Sequence, residues 1–280
     1  MANCESCPSN GKCSTDQKAS CGFESLNQFS KIKCTIAVMS GKGGVGKSSV
    51  SVLLARQLAS QGLKVGILDA DITGPSIPRL LGIPANTRCA NEANGIQPIV
   101  TADGIRVISL NFFLEKEEDP VVWRGPILSG AVKQFWTDVF WGELDCLVID
   151  MPPGTGDVVL TVMQSLPLSG AVVVTTPHDL ASMVVAKSVN MARMLKINVL
   201  GLIENMAYIR CPDCGHEIRL FDDTALNRYL DEHELELIGR LPMLPEVAAM
   251  SQSGNASLEG EPAKTLADAA AKVTTIINEQ

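Results

Sequence analysis

The sequence contains, at residues 41–48, the stretch Gly41-Lys42-Gly43-Gly44-Val45-Gly46-Lys47-Ser48. It satisfies the pattern G-x-x-x-x-G-K-S and lies between a predicted strand, Thr35–Met39, and a predicted helix, Gly46–Ser60. Glycines let backbone N–H groups turn inward around an anion, and the N-terminus of a helix adds its dipole. The stretch therefore predicts a phosphate-binding loop, in which Lys47 reaches the β- and γ-phosphates of ATP and Ser48 ligates Mg²⁺. The residues expected to contact the nucleotide are Gly41, Gly43, Gly44, Val45, Gly46, Lys47, Ser48 and Ser49.

Short apolar runs alternate with helical patterns around this loop. The runs are rich in β-branched residues, which is typical of parallel strands buried on both faces. The predicted strands are Thr35–Met39, Val65–Asp69, Ile105–Leu110, Cys146–Asp150, Ala171–Thr175, Val199–Ile203 and Glu236–Ile238. The predicted helices are Gly46–Ser60, Leu128–Phe140, Leu180–Leu195 and Ala263–Ile277. The alternation predicts an α/β fold over residues 31–280, with a doubly wound, mostly parallel sheet flanked by helices, as in P-loop NTPases.

Length and charge restrict the function classes. A chain of 280 residues with 46% hydrophobic content suits one sizeable α/β domain. The net charge of −8 argues against a nucleic-acid partner held by phosphate contacts. The sequence has no run of 18 apolar residues, so we expect no membrane-spanning segment, and its polar first residues lack the apolar core of a signal peptide. A cytoplasmic location is the expectation.

Aspartates lie at or just after the ends of two predicted strands. Asp150 ends the strand CLVID, Asp69 ends the strand VGILD, and Asp71 follows two residues later. The carboxyl ends of parallel strands meet at one edge of the sheet, where ligands bind. Asp150 is predicted to hold Mg²⁺ through water, with Asp69 in the same metal site, and Asp71 is predicted to orient or deprotonate the attacking water. Helix capping is the alternative role of a strand-end aspartate, above all for Asp69.

The loop carries a second lysine, Lys42, directly after its first glycine. In this respect it resembles the deviant-Walker-A (SIMIBI class) ATPases, which include the septum-site regulator MinD, ParA-type partition ATPases and the nitrogenase iron protein. The resemblance implies that Lys42 crosses the interface of a homodimer to the partner's phosphates and takes part in catalysis. A cation supplied in trans helps phosphoryl transfer. The alternative is an exposed loop lysine with no such role.

Four further segments occur in order: 69–78 (DADITGPSIP), 123–126 (WRGP), 150–157 (DMPPGTGD) and 204–206 (ENM). They resemble segments of one branch of this class, the Mrp/ApbC-type iron–sulfur cluster carriers. The first is similar to the switch I segment of that branch and the third to its switch II segment. The resemblance covers about residues 31–280 and implies that Asn205 reads the adenine edge.

A cysteine pair, Cys211 and Cys214, occurs in the sequence CPDC. In the family that the chain resembles, such a pair and its symmetry mate hold one bridging [4Fe–4S] cluster at the dimer interface. A two-residue spacer lets two thiolates converge on one centre, and a symmetric dimer supplies the other two ligands. Zinc is the alternative, because C-P-x-C-G followed by His216 also fits a zinc knuckle. A structural pair in a tight turn is the third possibility.

Residues 1–30 form a predicted polar extension that contains Cys4, Cys7, Cys13 and Cys21. Clustered cysteines in a reducing compartment indicate a metal or cluster site instead of disulfides. The intervals x2 and x5 resemble part of the N-terminal pattern C-x13-C-x2-C-x5-C of eukaryotic cytosolic NTP-binding scaffold proteins. The upstream cysteine of that pattern has no counterpart, and Cys21 is expected as the fourth ligand of a [4Fe–4S] cluster. Zinc or unligated thiols are the alternatives. The isolated Cys34, Cys89 and Cys146 are interpreted as core or incidental residues.

The favoured hypothesis is an ATP-dependent carrier or scaffold that transfers a [4Fe–4S] cluster to apo iron–sulfur proteins and hydrolyses ATP slowly. The first alternative is a MinD- or ParA-like regulatory ATPase with a structural zinc site. Residues 263–280 (AKTLADAAAKVTTIINEQ) contain two lysines and no aromatic residue, which makes a poor membrane anchor of the MinD kind. The second alternative is an electron donor similar to the nitrogenase iron protein, whose cluster ligands are separated cysteines.

Overall fold

The computed structural model describes residues 22–114, 125–177, 183–211, 213–221, 224–254 and 258–279. The sequence predictions that lie outside these ranges concern Cys4, Cys7, Cys13, Cys21, Trp123 and Arg124. The start of the predicted helix Leu180–Leu195 also lies outside them.

Strands of the described residues form one large sheet and two small hairpins. In chain order they are β1 (Lys31–Ser40), β2 (Val65–Asp69), β3 (Asn91–Glu92), β4 (Gly95–Ile96), β5 (Ile99–Val100), β6 (Arg106–Ile108), β7 (Glu143–Asp150), β8 (Gly170–Thr175), β9 (Val199–Glu204), β10 (Ile209–Arg210), β11 (Glu217–Ile218) and β12 (Leu237–Arg240). The large sheet has the order β12-β9-β8-β1-β7-β2-β6-β5, while β3 pairs with β4 and β10 with β11. Its pairs are parallel except for β5 with β6. The prediction of a mostly parallel sheet is confirmed.

Helices cover both faces of this sheet. In chain order they are α1 (Lys47–Ser60), α2 (Ile77–Leu80), α3 (Gly125–Thr137), α4 (Asp157–Ser165), α5 (Met183–Met194), α6 (Thr224–Glu232), α7 (Pro245–Ser253) and α8 (Glu261–Asn278). Alternate residues of the central strand β1 point to opposite faces. Ile36 and Val38 join the core cluster under α1 and α8, whereas Ala37 and Met39 join the cluster under α3, α4 and α5. The sheet is therefore apolar on both faces, which explains its continuous apolar strands.

The register of three neighbouring strands positions the candidate site. Val38 of β1 lies beside Asp150 of β7, and Asp69 of β2 lies on the other side of Asp150. The phosphate-binding loop follows β1 directly, and α1 begins at Lys47. The parallel pairing thus brings the loop and both strand-end aspartates to one edge of the sheet.

Most predicted elements match the structure to within a few residues. The predicted strand Ile105–Leu110 is shorter than expected, because β6 ends at Ile108 and a 3₁₀ helix follows at Leu110–Phe112. Cys34 and Cys146 are buried neighbours on β1 and β7, so of the two interpretations, core or incidental, the structure places them in the core.

The described part of the predicted N-terminal extension lies against the domain. The backbone N–H of Glu24 donates to Ser165 O at 2.8 Å, and Trp136 Nε1 donates to Glu24 O at 3.0 Å. Asn27 Nδ2 donates to Asn94 O at 3.0 Å. Residues 24–30 are therefore held on the surface next to α3 and β4. In the described ranges, no helix combines the length and apolarity needed to cross a membrane.

Candidate functional site

The phosphate-binding loop connects β1 to α1 and surrounds a cavity of about 300 Å³. Gly44 and Gly46 adopt φ angles of 81° and 79°, the left-handed region that glycine enters without steric cost. No side chain caps the N-terminus of α1, so the first N–H groups of the helix are available to an anion. The cavity lining comprises Ser40, Lys42, Gly43, Gly44, Val45, Gly46, Lys47, Ser48, Ser49, Asp71, Gly74, Ser76, Leu80 and Pro153.

Lys47 lies at the centre of a buried polar network below this cavity. Its side chain is only 6% exposed, and Nζ lies 2.8 Å from Asp150 Oδ1 and 3.9 Å from Asp71 Oδ2. The other oxygen of Asp150, Oδ2, accepts a hydrogen bond from Ser48 Oγ at 2.6 Å. Ser51 Oγ also donates to Asp150 Oδ1, at 2.7 Å. The structure therefore brings together Lys47, predicted to contact phosphate, Ser48, predicted to bind the metal, and the strand-end residue Asp150.

The electrostatic balance of this network is negative. Three carboxyl groups, those of Asp69, Asp71 and Asp150, surround the single ammonium group of Lys47. Burial, reinforced by the charge of Asp150, raises the pKa of Asp69 well above its usual value, and Lys47 only partly opposes this. Burial also raises the pKa of Asp71, with Lys47 lowering it and Asp150 raising it. A cation at this edge of the sheet would relieve the excess negative charge.

The residues present fit a nucleotide with Mg²⁺. Ser48 Oγ lies on the cavity wall next to Lys47 and donates to the buried Asp150 Oδ2, and both oxygens are of the kind Mg²⁺ prefers. The loop N–H groups and Lys47 offer the donors that phosphates require. Ser49 and Asp71, to which the sequence analysis assigned contacts with the nucleotide and the attacking water, also line the cavity.

Asp69 lies deeper than the sequence suggested. Its side chain is fully buried and does not line the cavity. Its carboxylate accepts hydrogen bonds from Ser109 Oγ at 3.0 Å and from the backbone N–H of Asp71 at 3.2 Å. Asp69 thus supports the segment that carries Asp71, whereas the equally buried Asp150 contacts Lys47 and Ser48 of the loop. The place of Asp69 in the metal site stays a prediction.

Sequence reasoning missed three residues that contact the site. Ser51 bonds Asp150, Ser109 bonds Asp69, and Asn111 Nδ2 donates to Pro75 O of the 69–78 segment at 3.4 Å. Ser51 lies one helical turn after Lys47, a spacing that places both on one face of α1. Ser109 and Asn111 follow β6 at the same sheet edge, and this position was the available signal.

Asn205, the residue predicted to read the adenine edge, contacts the phosphate-binding loop. It is 6% exposed, and its Nδ2 donates to Val45 O at 2.9 Å. A Cβ on Gly46 would lie 2.2 Å from Asn205 Nδ2, so only glycine permits this approach. Lys42 is exposed on the rim of the cavity, as a residue that acts on a second subunit would have to be.

The cysteine pair lies in the loop of the β10–β11 hairpin. The N–H of Cys211 donates to His216 O, and the N–H of Gly215 donates to Cys211 O, both at 2.9 Å. The backbone N–H groups of Cys214 and Asp213 and the thiol of Cys214 lower the pKa of Cys211, which favours its thiolate form. In the ranges that the structure describes, no three Cys, His, Asp or Glu side chains gather as metal ligands, and the hairpin thus offers a pair of thiols.

Exposed apolar side chains surround this pair. Hairpin positions Ile209 and Ile218 are 37% and 45% exposed, and Leu220 and Phe221 beyond it are 66% and 45% exposed. Met243, whose N–H donates to Tyr208 O, is 55% exposed. Apolar surface beside two thiols is typical of a region that another protein surface covers.

Curated relatives match nearly the whole chain. The iron-sulfur cluster carrier protein of Clostridium perfringens is 45% identical over 267 residues, covering 91% of this chain and 94% of that protein. A cytosolic Fe-S cluster assembly factor NUBP1 homolog of Caenorhabditis briggsae is 39% identical over 276 residues, covering 95% of this chain and 88% of that protein.

Solved structures share the fold. A nucleotide-binding protein of Archaeoglobus fulgidus in complex with ADP is 44% identical with a TM-score of 0.73, covering 82% of this chain and 90% of that one. The cell division ATPase MinD of Pyrococcus furiosus is 20% identical with a TM-score of 0.61, covering 87% and 99%, and its likeness concerns the fold alone. Residues 31–278 match the model of the family described as "ParA: NUBPL iron-transfer P-loop NTPase", and the chain belongs to that family of P-loop NTPases.

Proposed function

We propose that this protein is an ATP-dependent carrier of [4Fe–4S] clusters that works as a homodimer and delivers its cargo to apo iron–sulfur proteins. The observation that carries the proposal is the Cys211–Cys214 pair, which lies on an exposed hairpin of a P-loop NTPase and offers two of the four thiolates that a cluster needs. The names of the curated relatives, an iron-sulfur cluster carrier and an Fe-S cluster assembly factor, support the same function.

A second copy of the chain is the natural source of the missing ligands. A two-fold axis through the hairpins would bring together two Cys211–Cys214 pairs, one from each chain, and complete a four-thiolate site. The exposed side chains of Ile209, Ile218 and Leu220 would then be covered by the partner. Hydrogen bonds from the backbone N–H groups of Cys214 and Asp213 lower the pKa of Cys211, and this supports ligation, since only the thiolate binds the cluster.

In the proposed hydrolysis of ATP, the residues around the cavity have separate roles. Lys47, now paired with Asp150, would contact the β- and γ-phosphates. Ser48 and Asp150 would hold Mg²⁺, which would supply positive charge opposite the phosphates. Asp71, at the cavity wall with a raised pKa, accepts a hydrogen bond from the attacking water and orients it. Lys42 reaches the nucleotide of the partner subunit.

Two predictions from the sequence remain part of this proposal. Asn205 is assigned to the adenine edge, and the cysteines of the extension, Cys4, Cys7, Cys13 and Cys21, are assigned to a second cluster. A reducing, cytoplasmic location is proposed as well, because free thiols must persist for cluster binding. The proposed partners are client apo-proteins, and neither nucleic acid nor a membrane is among them.

Anaerobic reconstitution with iron and sulfide tests the proposal. We expect a broad absorption band near ~400 nm, typical of a [4Fe–4S] centre, and a loss of about two iron atoms per chain in the double variant Cys211→Ser/Cys214→Ser, since the bridging cluster is shared. Cys89→Ser, which changes a free cysteine outside the hairpin, is the matched control and should keep both. Stoichiometric zinc without uptake of iron would overturn the carrier function and favour a regulatory ATPase with a structural zinc site.

A further inference from the structure

We propose that Asn205 is a positioning residue that couples occupancy of the phosphate-binding loop to the geometry of the Cys211–Cys214 hairpin. The inference rests on the proposed function, because it assigns a role to a contact between the ATP site and the cluster ligands. It concerns a connection separate from the 69–78 and 150–157 segments, which contact the cavity from β2 and β7.

The first step lies at the loop. The amide of Asn205 holds the carbonyl of Val45 at 2.9 Å, on the side of the loop that faces β9. In a trans peptide the C=O and the following N–H point in opposite directions. Fixing the Val45 carbonyl therefore turns the N–H of Gly46 away from Asn205, to the side on which phosphate would bind. A phosphate that accepts a hydrogen bond from this N–H and shifts the Val45–Gly46 peptide would therefore also shift Asn205.

The second step lies in the chain that leaves Asn205. Only five residues separate Asn205 from Cys211. The N–H of Asn205 donates to Thr175 O at 2.8 Å, and the N–H of Ala207 donates to Leu241 O at 2.9 Å. Both bonds hold the segment between Asn205 and Cys211 against the ends of the neighbouring strands β8 and β12. The segment is therefore ordered, and it has no loose residues that could take up a shift of Asn205.

The third step lies at the base of the hairpin. Tyr208 is buried, its carbonyl accepts from the N–H of Met243 at 2.8 Å, and its hydroxyl donates to Glu261 at 3.1 Å. Arg210 pairs with Glu217 at 3.1 Å and with Glu261 at 3.5 Å. These contacts make residues 205–210 a stiff link between the loop and the hairpin, through which a shift of Asn205 would reach Cys211. Met206 adopts φ 57°, a conformation that non-glycine residues rarely hold, within this link.

Peptide-resolved alkylation of the metal-free, reduced full chain tests the coupling. We expect saturating Mg²⁺ with a non-hydrolysable ATP analogue to change the alkylation rate of Cys211 about fivefold or more, in the range typical of coupled sites. In Asn205→Ala the analogue, again at saturation, should leave the rate within about twofold of its nucleotide-free value. The exposed Asn198, at the opposite end of β9, provides the matched control Asn198→Ala, which should behave as the wild type.

Two results would overturn the inference. One is an unchanged alkylation rate of Cys211 in the wild type when nucleotide is bound. The other is wild-type nucleotide dependence in Asn205→Ala, as expected if the nucleotide protects Cys211 only by joining two chains. If Asn205→Ala does not fold, Asn205→Ser takes its place with the same criteria. Binding of nucleotide and of iron by the wild type is measured separately by direct titration. If the proposed function is wrong, one of these two binding reactions is absent. If only the coupling is wrong, both are present.

Discussion

The contact between Gly46 and Asn205 leads to a quantitative prediction for Gly46→Ala. An alanine at φ 79° costs roughly 1–2 kcal/mol, because its Cβ crowds the backbone in the left-handed region. The same Cβ would lie 2.2 Å from Asn205 Nδ2 and must displace it, so the hydrogen bond to Val45 O is lost at about 1 kcal/mol or more. We expect Gly46→Ala to lower the free energy of unfolding by about 2–4 kcal/mol in total.

Urea denaturation without nucleotide measures this loss, and two glycines serve as controls. Gly44 has φ 81° and no atom within 4 Å of an added Cβ, so Gly44→Ala should cost only the backbone strain of about 1–2 kcal/mol. Gly130 lies in α3 with open space around it, and Gly130→Ala should be neutral or stabilising by up to about 1 kcal/mol. Equal losses for Gly46→Ala and Gly44→Ala would refute the argument, because the Asn205 contact would then contribute nothing.

Three further predictions concern the charged network. Lys42→Ala should leave ATP affinity within about twofold but lower kcat for hydrolysis by at least tenfold, measured by phosphate release, if it acts on the partner's nucleotide. Ser51→Ala should lower the free energy of unfolding by about 1–3 kcal/mol in urea, because a buried hydrogen bond to Asp150 is lost; an unchanged midpoint would contradict this. Asp69→Asn should stabilise the nucleotide-free protein increasingly as the pH rises above about 4. The folded state binds the Asp69 proton more tightly than the unfolded chain, so its contribution to stability is lost with rising pH. Melting temperatures between pH 5 and 8 that stay parallel for variant and wild type would contradict it.

Local sequence patterns predicted the core of the fold because its determinants are local. The strands β2 and β8 are buried throughout, and β1 and β7 are buried from Cys34 and Cys146 to their ends, so their apolar runs carry a strong signal. The phosphate-binding loop was equally predictable, since its glycine positions follow directly from the backbone conformation that an anion cradle requires.

Elements with few buried residues escaped prediction. Helix α6 buries Leu226 and Leu230, one turn apart, and two such positions do not establish a helical period. The β10–β11 hairpin consists of two-residue strands whose side chains are largely exposed. Its stability depends on Tyr208 and Arg210 contacts with the distant Glu261, which no local pattern records.

The site was predictable in its chemistry and less so in its geometry. Lys47, Ser48 and Asp150 meet as their residue types indicated, because three strand and helix ends converge at one sheet edge. The depth of Asp69 was not predictable, since it depends on Ser109, forty positions away in the sequence. The Asn205 contact with Val45 likewise joins residues 160 positions apart.

Transfer of a preformed cluster tests the central claim most directly. The reconstituted wild type is mixed with an apo [4Fe–4S] enzyme in the presence of an iron chelator, with and without Mg²⁺ and ATP, and recovery of the acceptor's activity is followed. The account predicts recovery that the chelator does not block and a rate that changes with ATP. It also predicts that Lys47→Ala keeps its cluster and loses the effect of ATP, since Lys47 lines the phosphate-binding cavity and is not part of the Cys211–Cys214 hairpin. Complete inhibition by the chelator, or a rate indifferent to ATP in the wild type, would contradict the account.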